Sequence, residues 1–375
     1  MNAPLSPAAE LHMNVSVPFE RARAMPKSVY TSPSFAQLED RHIFGQEWLC
    51  AGRAESLPKP GDYLTMKIAG EPVVVLRDRD GEIRAMSNVC RHRMSVLLEG
   101  RGSAKTITCP YHAWTYNLDG SLRGAPAMTQ NESFCKDQVQ LPKLRCELWH
   151  GWIMVTLNPD APSPAARLSG LDDLIGKYQM ENYQENFRES FRWATNWKVL
   201  AENFMESYHL PMCHADTIGG HDDLMKMVCP EGTDAYNSHF LLKNDELDLA
   251  LAHPSNTILQ GDERRTTWLL AIYPSLMITL TPGYFWYLSL TADGPGHVNV
   301  LFGGGLAPEF VNDPKSAEHF AKLKTLLDEV NDEDKGCTER VFQGLCASMS
   351  EPGPLSHLER PNYEFAQYIA ARIPA

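Results

Sequence analysis

Two pairs of side chains able to bind metal stand 16 residues apart, Cys90-Arg-His92 and Cys109-Pro-Tyr-His112. Each pair sets a thiolate and an imidazole on one tight loop, so two loops can clamp opposite sides of a small inorganic cofactor. Zinc is one candidate for such a Cys2His2 set. Zinc fingers, however, group two cysteines together and two histidines together on a helix, whereas each loop here mixes the two. The mixed set suits a [2Fe–2S] cluster in which two histidines replace two cysteines on one iron and raise its potential. A ligating histidine can also expose its second ring nitrogen and pass an electron through it.

A second constellation lies further on. His209 and His214 are five residues apart, on or just beyond a helix, close enough to share one metal. A third, oxygen ligand would complete a 2-His-1-carboxylate triad, which on Fe(II) leaves positions open for O2. Two histidines alone also suit plain packing.

The elements that must position these groups change character along the chain. Phe35, Leu38, Ile43, Phe44 and Trp48 recur at helical spacing, so residues 30–52 read as a helix running into a strand. From about Gln46 to Asp160 the texture is short β runs, with Asp80-Gly81 and Asp119-Gly120 marking tight hairpins. The proline-rich stretch Asn158–Pro164 reads as a connector. Beyond it, 171–183 and 197–209 read as helices, 266–273, 276–281, 284–290 and 297–302 as strands, and 316–350 as a long amphipathic helix. Three segments are expected: an N-terminal helical segment (1–46) packing on the catalytic domain, a β domain (47–160) and a catalytic domain (161–375).

Composition excludes some classes. The balance of 34 Lys+Arg against 47 Asp+Glu gives −13, which disfavours nucleic-acid binding. No run of apolar residues is long enough for a membrane span, and residues 1–17 lack the basic flank and apolar run of a secretory signal. Nine cysteines, mostly scattered, suggest a reducing cytoplasm, with Cys50, Cys135, Cys146, Cys213, Cys229, Cys337 and Cys346 as free packing thiols.

The words around the ligands resemble those of Rieske-type non-haem iron oxygenases. They are Asn88-Val-Cys-Arg-His-Arg93, then Cys109-Pro-Tyr-His-Ala-Trp-Thr-Tyr-Asn-Leu-Asp-Gly-Ser121, with Ala113 where glycine is more usual. Later come Asn196-Trp-Lys198, Glu202-Asn203, Glu206, Tyr208-His209 and His214. The resemblance implies an α+β chain: an all-β Rieske domain and a helix-grip catalytic domain, with an antiparallel sheet around a long C-terminal helix. It implies a [2Fe–2S] cluster on Cys90, His92, Cys109 and His112. It also implies a mononuclear Fe(II) on His209, His214 and a carboxylate from the C-terminal helix. Asp334 and Glu339 match the family's acidic spacing, so Asp334 is the expected third ligand, with Asp332 as fallback. A solvated helix face then accounts for Asp328, Asp332 and Glu333.

By the same resemblance Glu206, with Asn203, belongs to the catalytic set. Glu206 bridges the cluster's His112 in one subunit to His209 in its neighbour, which implies a ring of subunits, most simply a homotrimer. Electrons are expected from a ferredoxin or ferredoxin-domain reductase, docking near the basic Arg91, Arg93, Arg101 and Lys105. Glu at the bridge, close behind Asn203, looks like the branch that acts on N-methyl and N-alkyl compounds. The expected reaction is O2-dependent hydroxylation leading to N- or O-dealkylation. An aromatic-ring cis-dihydroxylating dioxygenase and a Rieske electron carrier are the alternatives. Tyr284, Trp286 and Met227 are candidate pocket residues, with Met225 and Met277 as pocket wall or core.

Overall fold

The computed structural model describes residues 5–219, 224–243 and 248–375. The chain folds into two compact units, residues 44–165, and residues 1–43 together with 166–375.

The 44–165 unit is built from β runs. A seven-stranded antiparallel sheet runs Leu49–Arg53, Trp152–Thr156, Lys143–Trp149, Ile83–Ser87, Glu71–Arg77, Asp62–Ile68, Arg101–Ser103. Three short strands, Ile107–Thr108, Thr115–Tyr116 and Leu122–Gly124, form a second sheet. Both Asp-Gly pairs make the hairpins their sequence predicts, with Gly81 and Gly120 at φ +87° and +86°. Val74, Leu76, Met86, Ile107, Tyr116 and Leu122 form one core, and Cys90 and Cys109 are embedded in it. The two thiols therefore sit on a rigid, dry platform.

In the other unit a six-stranded antiparallel sheet runs Gln184–Trp193, Val298–Leu306, Tyr284–Ala292, Leu276–Leu280, Thr266–Ile272, Tyr236–Leu242. Alternation along Tyr284–Ala292 sends Phe285 and Tyr287 into full burial and leaves Tyr284 and Trp286 on the opposite face. The helix Trp197–Met205 packs on the strand Thr266–Ile272 and on the long helix Ser316–Leu345. That long helix buries Leu323, Leu327 and Val330, one stripe at three- and four-residue spacing, and Thr338 further along.

The Asn196-Trp-Lys198 word has a structural explanation. Asn196 caps its helix by accepting from Lys198 N–H at 3.0 Å, while its amide donates to Tyr30 O and Pro295 O at 2.9 and 2.8 Å. Trp197 is fully buried. Lys198, also fully buried, meets Glu39 at 2.5 Å and lies over the rings of Tyr30, Phe35 and Trp197 at 5.2–5.6 Å. Burial pushes the Lys198 ammonium down and the Glu39 carboxyl up, each partly offset by the other. This buried pair ties the N-terminal helix Pro33–Glu39 to the helix that leads to the histidines.

Several expectations are corrected. Residues 27–44 form two short helices and a π turn (Lys27–Thr31, Pro33–Glu39, Asp40–Phe44) rather than one helix. The 171–183 helix is short: Ser169–Ile175 passes into a 3-10 turn, Gly176–Tyr178, and Gln179 at φ +52° ends that turn. The 197–209 helix stops at Met205. Cys213 and Cys337 are joined as a disulfide rather than packed as free thiols. Their separation of 124 residues gave no local sign of pairing. Cys135 and Cys346 are exposed, not buried. No helix among the described residues is long and apolar enough to cross a membrane.

Replacing Lys198 by Met should strand a buried carboxyl and destabilise the fold by about 3–5 kcal/mol. The double variant Lys198→Met with Glu39→Met should recover most of that loss in denaturant melts.

Candidate metal centres

The two Cys/His loops are twins in backbone. Cys90 N–H donates to Ser95 O and Cys109 N–H to Trp114 O, both at 2.8 Å. Met94 N–H returns to Cys90 O and Ala113 N–H to Cys109 O, both at 3.1 Å. The same turn is thus built twice, although the histidine falls two residues after one cysteine and three after the other. Met94 and Ala113, at the same place in each turn, adopt φ +54° and +56°. Glycine tolerates that conformation without strain, which accounts for the glycine more usual at the position of Ala113.

The side chains converge as the backbone predicts. Cys90 and Cys109 are buried, and the rings of His92 and His112 meet edge to face with centroids 4.8 Å apart. Trp114 stacks on His92 at 4.8 Å. Tyr116 accepts from Arg91 N–H at 3.0 Å and sets its hydroxyl 3.3 Å from Cys90 Sγ. Burial would raise the Cys109 thiol, but the amides of Tyr111 and His112 outweigh it and pull the thiol down. Both Nδ1 atoms, of His92 and His112, are buried without a hydrogen-bond partner among the described residues. Two orphaned imidazole nitrogens beside two buried thiols fit the ligand set of a mixed Cys/His cluster.

The second centre begins where the Trp197–Met205 helix ends. Glu206 leaves it in extended backbone (φ −134°, ψ 158°), and its Oε2 accepts from Tyr208 N–H and His209 N–H. Its Oε1 lies 2.7 Å from His209 Nδ1. Glu333 Oε2 makes the matching contact to His214 Nδ1, also at 2.7 Å, and accepts from Thr217 Oγ1. Each carboxylate holds a proton on Nδ1 and so turns a bare Nε2 inward. Asn203 Nδ2 donates to His209 Nε2 and to Asp334 Oδ1, both at 3.0 Å, in agreement with that tautomer.

Three acceptor atoms therefore face one another. His209 Nε2, His214 Nε2 and Asp334 Oδ1 are separated by 3.3, 3.1 and 3.5 Å. Three donors about 2.1 Å from one ion stand about 3.0–3.4 Å apart, whether at right angles or tetrahedral. Without a cation their lone pairs repel. Burial would lower His209, but Asp334 and Glu206 carry it up to about 10. Burial would raise Asp334, yet the two imidazoles hold it below the ordinary carboxylate range. The residues fit a single cation held by two histidines and a carboxylate.

The triad opens into a cavity of 310 Å3 lined by Phe204, Tyr284, Trp286 and Leu288 among others. Phe204 and Trp286 meet edge to face at 5.6 Å. Met227 is half-buried and is not among the lining residues; Met225 is exposed and Met277 is core. In the acidic run, Asp332 is exposed and Asp328 pairs with Lys324, as a solvated face requires. Glu333 does not: it is a positioning residue for His214. Its neighbour Asp334 continues the buried stripe four residues beyond Val330, a periodic signal that singles it out from sequence. Glu339 accepts from Ala194 N–H at 3.0 Å.

Comparisons with known proteins agree with this arrangement. Residues 47–143 match the Rieske [2Fe-2S] domain, and residues 180–375 match the ring hydroxylating alpha subunit (catalytic domain). The chain belongs to the Rieske oxygenase family. The carnitine monooxygenase oxygenase subunit of Escherichia coli K12 is 32% identical over 286 residues, 74% of this chain and 73% of that one. That of Acinetobacter baumannii is 37% identical over 196 residues, about half of each chain (52% and 53%). A crystal structure of a quaternary ammonium Rieske monooxygenase in complex with L-carnitine shares the fold, with TM-score 0.80 over all of both chains at 24% identity. As a Rieske oxygenase the chain carries a [2Fe–2S] cluster and a mononuclear iron.

Two outcomes are expected. Ala113→Gly should relieve its backbone strain and stabilise the cluster loop by about 1 kcal/mol, read as slower cluster bleaching in denaturant. Glu333→Ala should weaken the mononuclear iron about 10- to 100-fold against a competing chelator, with the cluster's visible spectrum unchanged.

Proposed function

We propose that this chain is the oxygenase component of a multicomponent Rieske monooxygenase that dealkylates a small quaternary ammonium compound. The observation that carries the reading is the His209–His214–Asp334 triad opening into a small cavity with an aromatic wall. Trp286, Tyr284 and Phe204 offer ring faces to an alkylammonium group, which needs no counter-ion when it lies over aromatic rings. The carnitine-related names of the similar proteins support the same class.

In this reading His209, His214 and Asp334 hold Fe(II), and Cys90, His92, Cys109 and His112 hold the cluster. The bound iron supplies reductive O2 activation with electrons drawn through the cluster. Glu206 and Glu333 keep both imidazoles in the ligating tautomer, and Asn203 steadies Asp334 through its amide. Phe204, Trp286 and Leu288 exclude water and hold the substrate's carbon next to nitrogen toward the triad. In balance, substrate, O2, two electrons and two protons give a hydroxylated carbon and water. A hydroxyl on carbon bonded to a quaternary nitrogen is unstable: the C–N bond breaks, its electron pair stays on nitrogen, and an aldehyde, a tertiary amine and a proton leave.

Glu206 also borders a second cavity, of 430 Å3, together with Glu202 and Tyr30. That position supports the role of Glu206 as a link to the partner subunit's His112 in a homotrimer. A ferredoxin or ferredoxin-domain reductase would deliver the electrons, at the basic neighbourhood of Arg91, Arg93, Arg101 and Lys105.

Turnover with a ferredoxin reductase, 18O2 and a panel of trimethylammonium compounds tests the reading. Release of a tertiary amine, with one labelled oxygen in the aldehyde before exchange, is expected. A cis-diol from an aromatic hydrocarbon, carrying both labelled atoms, would overturn it in favour of dioxygenation.

A further inference from the structure

Among the described residues one pair of cysteines is bonded, Cys213 to Cys337, while Cys50, Cys90, Cys109, Cys135, Cys146, Cys229 and Cys346 carry free thiols. A chain that depends on disulfides for stability pairs most of its cysteines. This chain does not, so the place of its bond calls for a reason. Cys213 directly precedes the ligand His214, and Cys337 follows the ligand Asp334 by three residues, about one helical turn.

The bond crosses the joint on which the triad depends. The four-residue helix Leu210–Cys213 packs against the long helix Ser316–Leu345. Across the same joint His214 Nδ1 meets Glu333 Oε2 at 2.7 Å, and Thr217 Oγ1 donates to that oxygen, also at 2.7 Å. Such polar contacts break and re-form within a folded chain, whereas the covalent bond opens only by a redox reaction. A four-residue helix has little stability of its own, so the segment bearing His214 is the one that an opened bond frees.

The bond is also within reach of solutes. Both cysteines are half-buried, and both line the 430 Å3 cavity beside Glu206 and His209. The cluster thiols Cys90 and Cys109, by contrast, are buried in the β core. Disulfides that only staple a fold resist reduction, whereas exposed ones exchange with external thiols.

We infer that Cys213–Cys337 is a thiol–disulfide exchange site, served by a small dithiol, that sets how firmly the mononuclear iron is held. A thiolate of the dithiol attacks one sulfur and forms a mixed disulfide, and the other cysteine leaves as a thiolate. The reductant's second thiol then closes its own disulfide, so two electrons and two protons pass to the chain as two thiols. A small disulfide reverses the exchange and takes both electrons and both protons back. With the bond closed, the segments carrying His214 Nε2 and Asp334 Oδ1, 3.1 Å apart, are clamped together. With it open, the joint relies on hydrogen bonds and packing, and iron exchanges faster. The inference concerns the iron site and is independent of the substrate.

Iron release from the anaerobic full-length holoprotein to a ferrous chelator tests this, with the cluster's visible spectrum followed beside it. Mass spectrometry of the cross-linked peptides around Cys213 and Cys337 reports the state of the bond. Wild type treated with dithiothreitol should lose the cross-link and release mononuclear iron at least about tenfold faster, the scale on which supporting contacts hold a metal. Exchange into oxidised glutathione should restore both the cross-link and slow release. C213S/C337S should release iron at the reduced wild-type rate without responding to dithiothreitol, while C346S should respond as wild type does. A cross-link that survives dithiothreitol in the holoprotein overturns the inference, as does a release rate that reduction leaves unchanged. Acceleration in C213S/C337S equal to that in wild type means that the reagent strips iron by itself, and overturns it too. Should the serine variant not fold, the reduced and reoxidised wild-type rates still decide the matter.

Discussion

Three acceptor atoms held within 3.5 Å of one another repel unless a cation stands among them, and the catalytic unit is organised around that constraint. Bringing the three together is unfavourable in the metal-free chain, so the fold must over-determine each one. Glu206 and Glu333 fix the imidazoles from behind, and Asn203 holds His209 and Asp334 from the side. A bond between side chains adds a covalent restraint. Cys213 precedes His214, Cys337 lies one helical turn past Asp334, and their disulfide ties the two ligand-bearing segments directly together. Further back, the buried Lys198–Glu39 pair and the Asn196 cap anchor the helix that ends at Met205.

The 44–165 unit meets a similar demand by other means. Its ligands are thiols and neutral imidazoles, which tolerate burial better than a carboxylate does. Burial in a β core therefore suffices, and among the described residues no hydrogen-bond partner stands behind either histidine at Nδ1. Precision comes from repetition: one turn used twice presents a cysteine and a histidine at matching places. The difference in spacing, two residues against three, is absorbed inside the turn. Met94 and Ala113 accept a left-handed backbone so that both turns can close.

What could be read from sequence follows from the same physics. Short ligand pairs, Asp-Gly hairpins and alternating strands are local, so Cys90, His92, Cys109, His112 and the strand Tyr284–Ala292 were visible. Asn196-Trp-Lys198 was visible as a word, but its meaning was not, since Glu39 is remote in sequence from Lys198. The Cys213–Cys337 bond was hidden for the same reason, and free thiols were wrongly expected. Glu333 was misassigned to solvent because three acidic residues in a row leave the inward face ambiguous without a helical phase. Anchoring that phase on Leu323, Leu327 and Val330 places Asp334 inward, while only the tertiary fold shows Glu333 reaching His214. The helix end at Met205 was missed because Glu206, Ser207 and Tyr208 carry no strong breaker. There the carboxylate's hydrogen bonds to Tyr208 and His209 N–H, not a glycine or proline, turn the chain.

That early helix end governs how the histidines can behave. Two histidines one turn apart within a helix would share a rigid face and need little support. Here His209 stands after a broken helix and His214 after a four-residue one, so their relative placement depends on Glu206, Glu333 and the disulfide. Glu206 gives both oxygens to this task, Oε2 to the backbone and Oε1 to the His209 ring. Yet it also borders the second cavity. Any donor arriving there must share a lone pair of a carboxylate already bound to a ligand imidazole. The hydrogen bond that sets the tautomer of His209 would then be the same one through which an approaching donor is felt at the metal. Positioning of the loop and of the ligand ring is carried by one side chain, which gives a physical reason for a glutamate that turns back on its own loop.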